Sequence, residues 1–216
     1  MKDLKKLLAD GIKALGEGKH MEALALFDEI IKEDPKIMEA WYNKAVTLTY
    51  LGKDDEAISV YEEALKIDDK IPDMWFNLGN LYYDKFQYDK AIDCYKHAVE
   101  LNPNDAEAWN NLGNAFAQKG DTENAIRAYT NAILVNPEYA DAWYNKARSH
   151  YVIGDFEKAV VYGEKAIQLN PALARRAQAW LPDARNRREV HKSYDETKNT
   201  HNHNHNHNHE NKRKQK

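Results

Sequence analysis

The chain has 216 residues, 43% of them hydrophobic and 31% charged, with a formal net charge of −4. That suffices for one ordinary domain or a short repeat array, and no apolar run approaches the roughly 20 residues that span a bilayer, so no membrane partner is expected. The charge is uneven: residues 1–173 carry 20 Lys and Arg against 30 Asp and Glu, and residues 174–216 carry 11 against 5, an acidic body with a basic end that argues against clamping nucleic acid along the main surface.

In chain order, the opening MKDLKKLLADGIKALGEGKH has its apolar stretch interrupted by Asp10 and Glu17. No small-residue cleavage pattern follows, so it is expected to be mature structure and not a signal peptide. Beyond it the chain repeats. Trp41, Trp75, Trp109 and Trp143 are each 34 residues apart, and Leu7 stands one period before Trp41. Five units run without insertion, 4–37, 38–71, 72–105, 106–139 and 140–173. Within a unit, Trp75, Gly79 and Tyr82, then Ala91, Tyr95 and Ala98, predict two helices with one apolar stripe each.

The small residues of the unit recur as well. Position 8 holds Gly11, Ala45, Gly79, Gly113 and Ala147, and position 20 holds Ala23, Ala57, Ala91, Ala125 and Ala159. Side chains this small let two helices approach closely while aromatic rings fill the space beside them. Gly18, Gly52, Gly120 and Gly154 mark the turn between the helices; Pro35, Pro103, Pro137 and Pro171 end the second helix. Phe86 departs from the turn Gly, Asp69 from the Pro, and Gly163 from an aromatic.

WFNLGNLY with Ala91, Tyr95, Ala98 and Pro103 resembles the tetratricopeptide repeat, over about residues 4–173. The resemblance implies an all-α fold, a right-handed α-solenoid of tandem helix-turn-helix repeats, in which the first helix of each hairpin lines a concave groove. One hairpin cannot bury its own apolar face, and stacking does so. The last hairpin needs a lid. Residues 174–192 are expected to supply it as a capping, basic helical segment, with Ala177, Trp180 and Leu181 on one face and Pro182 ending or kinking it.

On the first helix, positions 2, 6, 9 and 13 share a stripe. Position 6 holds Asn43, Asn77, Asn111 and Asn145, with Asn80 and Asn114 at position 9. An amide both donates and accepts, which complements a peptide bond. The pattern resembles the asparagine ladder of peptide-binding repeat proteins; the other reading is a solvated polar surface. Position 2 holds Glu39, Asp73, Glu107 and Asp141. These acids favour a basic ligand, or serve only the helix dipole. Tyr42, Phe76 and Tyr144 at position 5, with Tyr83 and Tyr151 at position 12, add flat contact area or pack between repeats. Members of the family that grip a C-terminal carboxylate place Lys and Arg where this chain has acids, so a basic or neutral protein or peptide is the expected partner.

From Ser193 to Lys216 the chain is polar without an apolar period and is expected to be disordered. His201, His203, His205, His207 and His209 alternate with Asn, and their imidazoles suit Ni²⁺, Zn²⁺ or Cu²⁺. An affinity tag, plain low-complexity sequence and cellular metal handling all remain open. Cys94 is the single cysteine, which excludes an internal disulfide and fits a reducing compartment; a buried inert thiol is expected, and His150 is expected in the core. There is no Gly-rich phosphate loop and no nucleophile elbow. The expectation is a monomeric, cytoplasmic, non-enzymatic interaction scaffold with no cofactor. A metal-handling accessory protein is the alternative, and self-association through the repeat ends is the third reading.

Overall fold

The computed structural model describes residues 3–190 and Ser193. Among these residues every regular element is a helix: α1 (Leu4–Gly16), α2 (His20–Glu33), α3 (Met38–Tyr50), α4 (Asp54–Ile67), α5 (Pro72–Asp84), α6 (Tyr88–Leu101), α7 (Ala106–Gln118), α8 (Thr122–Val135), α9 (Ala140–Val152), α10 (Phe156–Leu169) and α11 (Leu173–Ala177). A further helix, α12, covers residues 181–190. This is an all-α helical-repeat fold. It forms two compact units, one reaching Asp121 with α1–α7 and one from Thr122 with α8–α12.

In the first unit the small residues are required by contact. A Cβ on Gly11 would lie 2.6 Å from Phe27 Cε1, and one on Gly79 would lie 2.8 Å from Tyr95 Cε1. Ala23, Ala57 and Ala91 have no exposed surface, and Phe27, Tyr61 and Tyr95 are buried beside them. The indoles are chosen for their N–H. Trp41 Nε1 donates to Pro35 O at 3.0 Å, Trp75 Nε1 to Asp69 O at 2.8 Å and Trp109 Nε1 to Pro103 O at 2.9 Å. The loop they hold is itself fixed by a side chain: the Oδ1 atoms of Asp34, Asp68 and Asn102 accept from the amides of Lys36, Lys70 and Asn104, the geometry of an Asx turn. Neither bond uses the proline ring, which is why Asp69 can stand in its place.

The turn between hairpin helices needs a left-handed residue. Gly18 and Gly52 have φ of +76° and +70°, and Phe86 occupies the same place at φ 60° with its ring exposed. A side chain in this region costs about 1–2 kcal/mol relative to glycine, partly offset by the greater freedom of glycine in the unfolded chain. Phe86→Gly is therefore expected to stabilise the protein by about 0.5–1 kcal/mol, read as a higher urea midpoint at unchanged slope.

In the second unit Trp143 Nε1 repeats the loop bond to Pro137 O at 2.8 Å, and Asn136 and Asn170 repeat the Asx turn. The aromatic that Gly163 lacks comes from the C-terminal segment. Trp180, buried, enters from between α11 and α12, and a Cβ on Gly163 would lie 2.8 Å from its Cη2. Pro182, expected to end or kink the lid, does not end it. The helix breaks at residues 178–180, and Pro182 sits in the first turn of α12, where no amide bond is lost.

His150 is 6% exposed, with its ring 5.4 Å from Tyr162 and Nδ1 3.4 Å from Asp155 Oδ2. Burial, aided by the charges of Lys158 and Lys146, lowers its pKa against the pull of Asp155. The unfolded state then takes up a proton near pH 6.5 before the folded state does. Stability contributed by the neutral ring is present above that pH and falls as the pH drops toward the lowered value. His150→Phe is expected to shrink the loss of Tm between pH 7.5 and 5.5, followed by circular dichroism.

Candidate functional site

On the first unit the polar stripe of each first helix is tied to the next. Asn77 Nδ2 on α5 donates to the Tyr42 hydroxyl on α3 at 3.3 Å, and the Asn77 side chain also meets the Tyr61 hydroxyl. Asn80 Oδ1 accepts from the Tyr95 hydroxyl at 2.7 Å and from Asn111 Nδ2 on α7 at 3.3 Å. Gln118 Nε2 donates to the Tyr83 hydroxyl at 3.3 Å. Asn43 instead bonds its own helix, Nδ2 to Glu39 O at 2.8 Å. Two of the recurrent Asn residues, Asn77 and Asn111, thus have a packing role that the letters alone did not show: they bridge consecutive first helices while staying half-buried.

Two pockets open on this face. One, of about 310 Å³, lies between α3 and α5 and is lined by Val46, Tyr50, Tyr61, Asn77, Asn80 and Asp84 among others. The other, of about 320 Å³, is lined by Asn80, Tyr83, Asp84, Tyr95, Asn111 and Asn114. Asn80 and Asp84 belong to both walls. Glu39, Asp73 and Glu107 are exposed on the same three helices. Tyr42 and Phe76 are half-buried, their rings 6.4 Å from Tyr61 and 6.0 Å from Tyr95, so each packs inward with one side. Asp84 was not among the residues singled out from the sequence, although it sits at position 13 of the stripe.

The second unit treats the same positions differently. Tyr144 is buried, not a groove residue: its hydroxyl donates to Arg176 O at 3.2 Å and accepts from Trp180 Nε1 at 3.3 Å, and the Arg176 guanidinium lies 4.5 Å over its ring. Arg176 also pairs with Asp141 at 3.0 Å. Tyr151 donates to Asp183 Oδ2 at 2.8 Å. The C-terminal segment therefore covers the face of α9 as the next first helix would, and Asp141 and Tyr144 are used in seating it. Asn145 is half-buried on α9 and has its own interaction partners.

Other reactive groups do not converge. Cys94 is buried, and burial pushes its thiol up to about 12, so it stays protonated. Among the described residues no three His, Cys, Asp or Glu side chains form a metal cluster. The histidines from His201 to His209 lie outside the described residues. Among the described residues no helix is long and apolar enough to cross a membrane.

Comparison with known proteins agrees with this architecture. The family profile of the Cilia and flagella-associated protein 70 C-terminal domain matches residues 7–147, and the tetratricopeptide-repeat profile matches residues 140–173. No curated protein matches the sequence. Among solved structures, MamA from Desulfovibrio magneticus RS-1 is similar at 24% identity and a TM-score of 0.72, covering 80% of this chain and 98% of its own. YrrB, described as a TPR protein with an unusual peptide-binding site, is similar at 26% identity and a TM-score of 0.71, covering 80% of this chain and 90% of its own. With helix pairs of one pattern and a family profile over most of its helical body, the chain belongs to the tetratricopeptide-repeat family.

Proposed function

We propose that the chain is a non-enzymatic interaction scaffold whose first unit receives an extended or helical segment of a partner protein across α3, α5 and α7. The observation that carries this reading is the pair of pockets sharing Asn80, walled by tyrosines and amides. Amides supply both donors and acceptors for a peptide backbone; Asn77 engages Tyr42, and Asn111 donates to Asn80 and accepts from Asn110 Nδ2 at 3.4 Å, each with further donor and acceptor capacity in the amide group. The acids Glu39, Asp73 and Glu107 favour a basic or neutral segment by an attraction that salt weakens. The likeness to YrrB, itself described by a peptide-binding site, supports the same use of the fold. A lone cysteine kept as a buried thiol fits a cytoplasmic setting.

Panning a random peptide library against the full chain tests this, with EDTA present so that the histidine tract holds no metal. Peptides are expected to be enriched, and to bind at least about tenfold more weakly to the Asn77→Ala, Asn111→Ala double variant, the loss of about 1.4 kcal/mol, with helicity retained by circular dichroism. No enrichment, or enrichment indifferent to both substitutions, would overturn the reading.

A further inference from the structure

Asp84 is the last residue of α5. A helix C-terminus carries the negative end of the macrodipole, so an anion there is disfavoured and a cation in the last turn relieves it. The last turn of α5 has no basic residue. Three other surface carboxylates of the unit are neutralised, Asp28 by Lys44 at 2.6 Å, Asp55 by Lys85 at 2.8 Å and Asp89 by Lys119 at 2.9 Å; none of the three lines either pocket. Lys85, next to Asp84 in the chain, is thus drawn away by Asp55. The Asp84 carboxylate is exposed and pairs with no cation of the described residues. It nevertheless stands in the wall of both pockets, the first of which Tyr50 also lines and the second Tyr83.

On the reading of α3, α5 and α7 as a peptide face, we propose that Asp84 is the anchor for a lysine or arginine side chain of the bound segment. The cation enters one of the two pockets and meets the carboxylate there. Tyr50, 71% exposed and stacked on His20 with ring centres 5.9 Å apart, lines the first pocket, and half-buried Tyr83 lines the second; a cation over a tyrosine face is attracted by the ring quadrupole. Charge-assisted hydrogen bonds to the carboxylate fix its position. The field of Asp84 reaches the floor of the second pocket: burial, then the Asp84 charge, hold the Tyr95 hydroxyl above its usual pKa. A positive ligand group relieves the unfavourable acid at the helix end. The arrangement leaves an acid uncompensated in the free protein, and the bound cation completes it.

The test uses three pools of random dodecapeptides that differ at one fixed central residue: arginine, lysine or uncharged citrulline. Each is titrated by fluorescence anisotropy into the full chain, into Asp84→Asn, and into Asp93→Asn, which removes an exposed acid from α6. The arginine and lysine pools are expected to bind the native chain and Asp93→Asn at least tenfold more tightly than the citrulline pool. In Asp84→Asn that preference is expected to vanish while citrulline binding is unchanged, and the Tm of the free protein is expected to rise. An arginine preference that survives Asp84→Asn overturns the anchor and leaves the peptide face standing. Failure of all three pools to bind the native chain overturns the peptide face itself, and the anchor with it.

Discussion

Trp180→Ala is expected to destabilise the second unit by about 3–5 kcal/mol, the range for deleting a large buried aromatic. Trp180 is one of the members that close the core formed by Tyr144, Ala147, Val160, Ala166 and Leu181. It packs edge-on to Tyr144 with ring centres 6.0 Å apart, lies 5.7 Å from Tyr151, and donates its N–H to the Tyr144 hydroxyl. Its removal leaves a cavity against Gly163 and takes a donor from a buried hydroxyl. Trp180→Phe keeps most of the ring and loses the N–H, so about 1–2 kcal/mol is expected. Gly163→Ala tests the same contact from the other side: a methyl 2.8 Å from Cη2 of a ring with little room to move is expected to cost about 1–3 kcal/mol. Elsewhere Phe27, Tyr61, Tyr95 and Tyr129 fill the place of Gly163. Gly163→Tyr in the Trp180→Ala background should therefore recover part of the loss. Urea unfolding followed by far-ultraviolet circular dichroism measures all four.

Tyr95→Ala is expected to cost the first unit a comparable amount, about 3–5 kcal/mol. The ring is 1% exposed and packs on Gly79. Its hydroxyl bond to Asn80 links this core to the polar face. Tyr95→Phe separates the two roles. It keeps the ring and leaves Asn80 Oδ1 with Asn111 alone, so about 0.5–1.5 kcal/mol of stability is expected to go. Because Asn80 stands in both pocket walls, peptide affinity should fall by more than this small loss of stability accounts for.

Much of the fold was legible in the sequence because each repeated letter answers one contact. The 34-residue spacing of Trp41, Trp75, Trp109 and Trp143, the invariant alanines and the turn glycines carry the hairpin pattern without ambiguity. What the indole N–H does was not legible, since its acceptor is a loop carbonyl that no letter specifies. The Asx turns at Asp34, Asp68, Asn102, Asn136 and Asn170 carry a legible signal too, a short polar side chain recurring every 34 residues one place before the loop carbonyl. At the candidate site, periodicity put Asn77, Asn80 and Asn111 on one stripe, but it could not say that their amides also bridge helices. Of the two roles open to the aromatics of position 5, Tyr144 takes the packing one for a physical reason: the C-terminal segment, with no repeat signature, seats on α9. The departures at Phe86, Asp69 and Gly163 each have a local account in backbone angle, carbonyl bonding and a borrowed aromatic.

The most direct measurement is a map of backbone amide shifts in the full chain as a panned peptide is added, with EDTA present. The account predicts that the perturbed amides cluster on α3, α5 and α7, around Asn77, Asn80, Asp84 and Asn111. Shifts confined to residues 122–216, or none at saturating peptide, would contradict it.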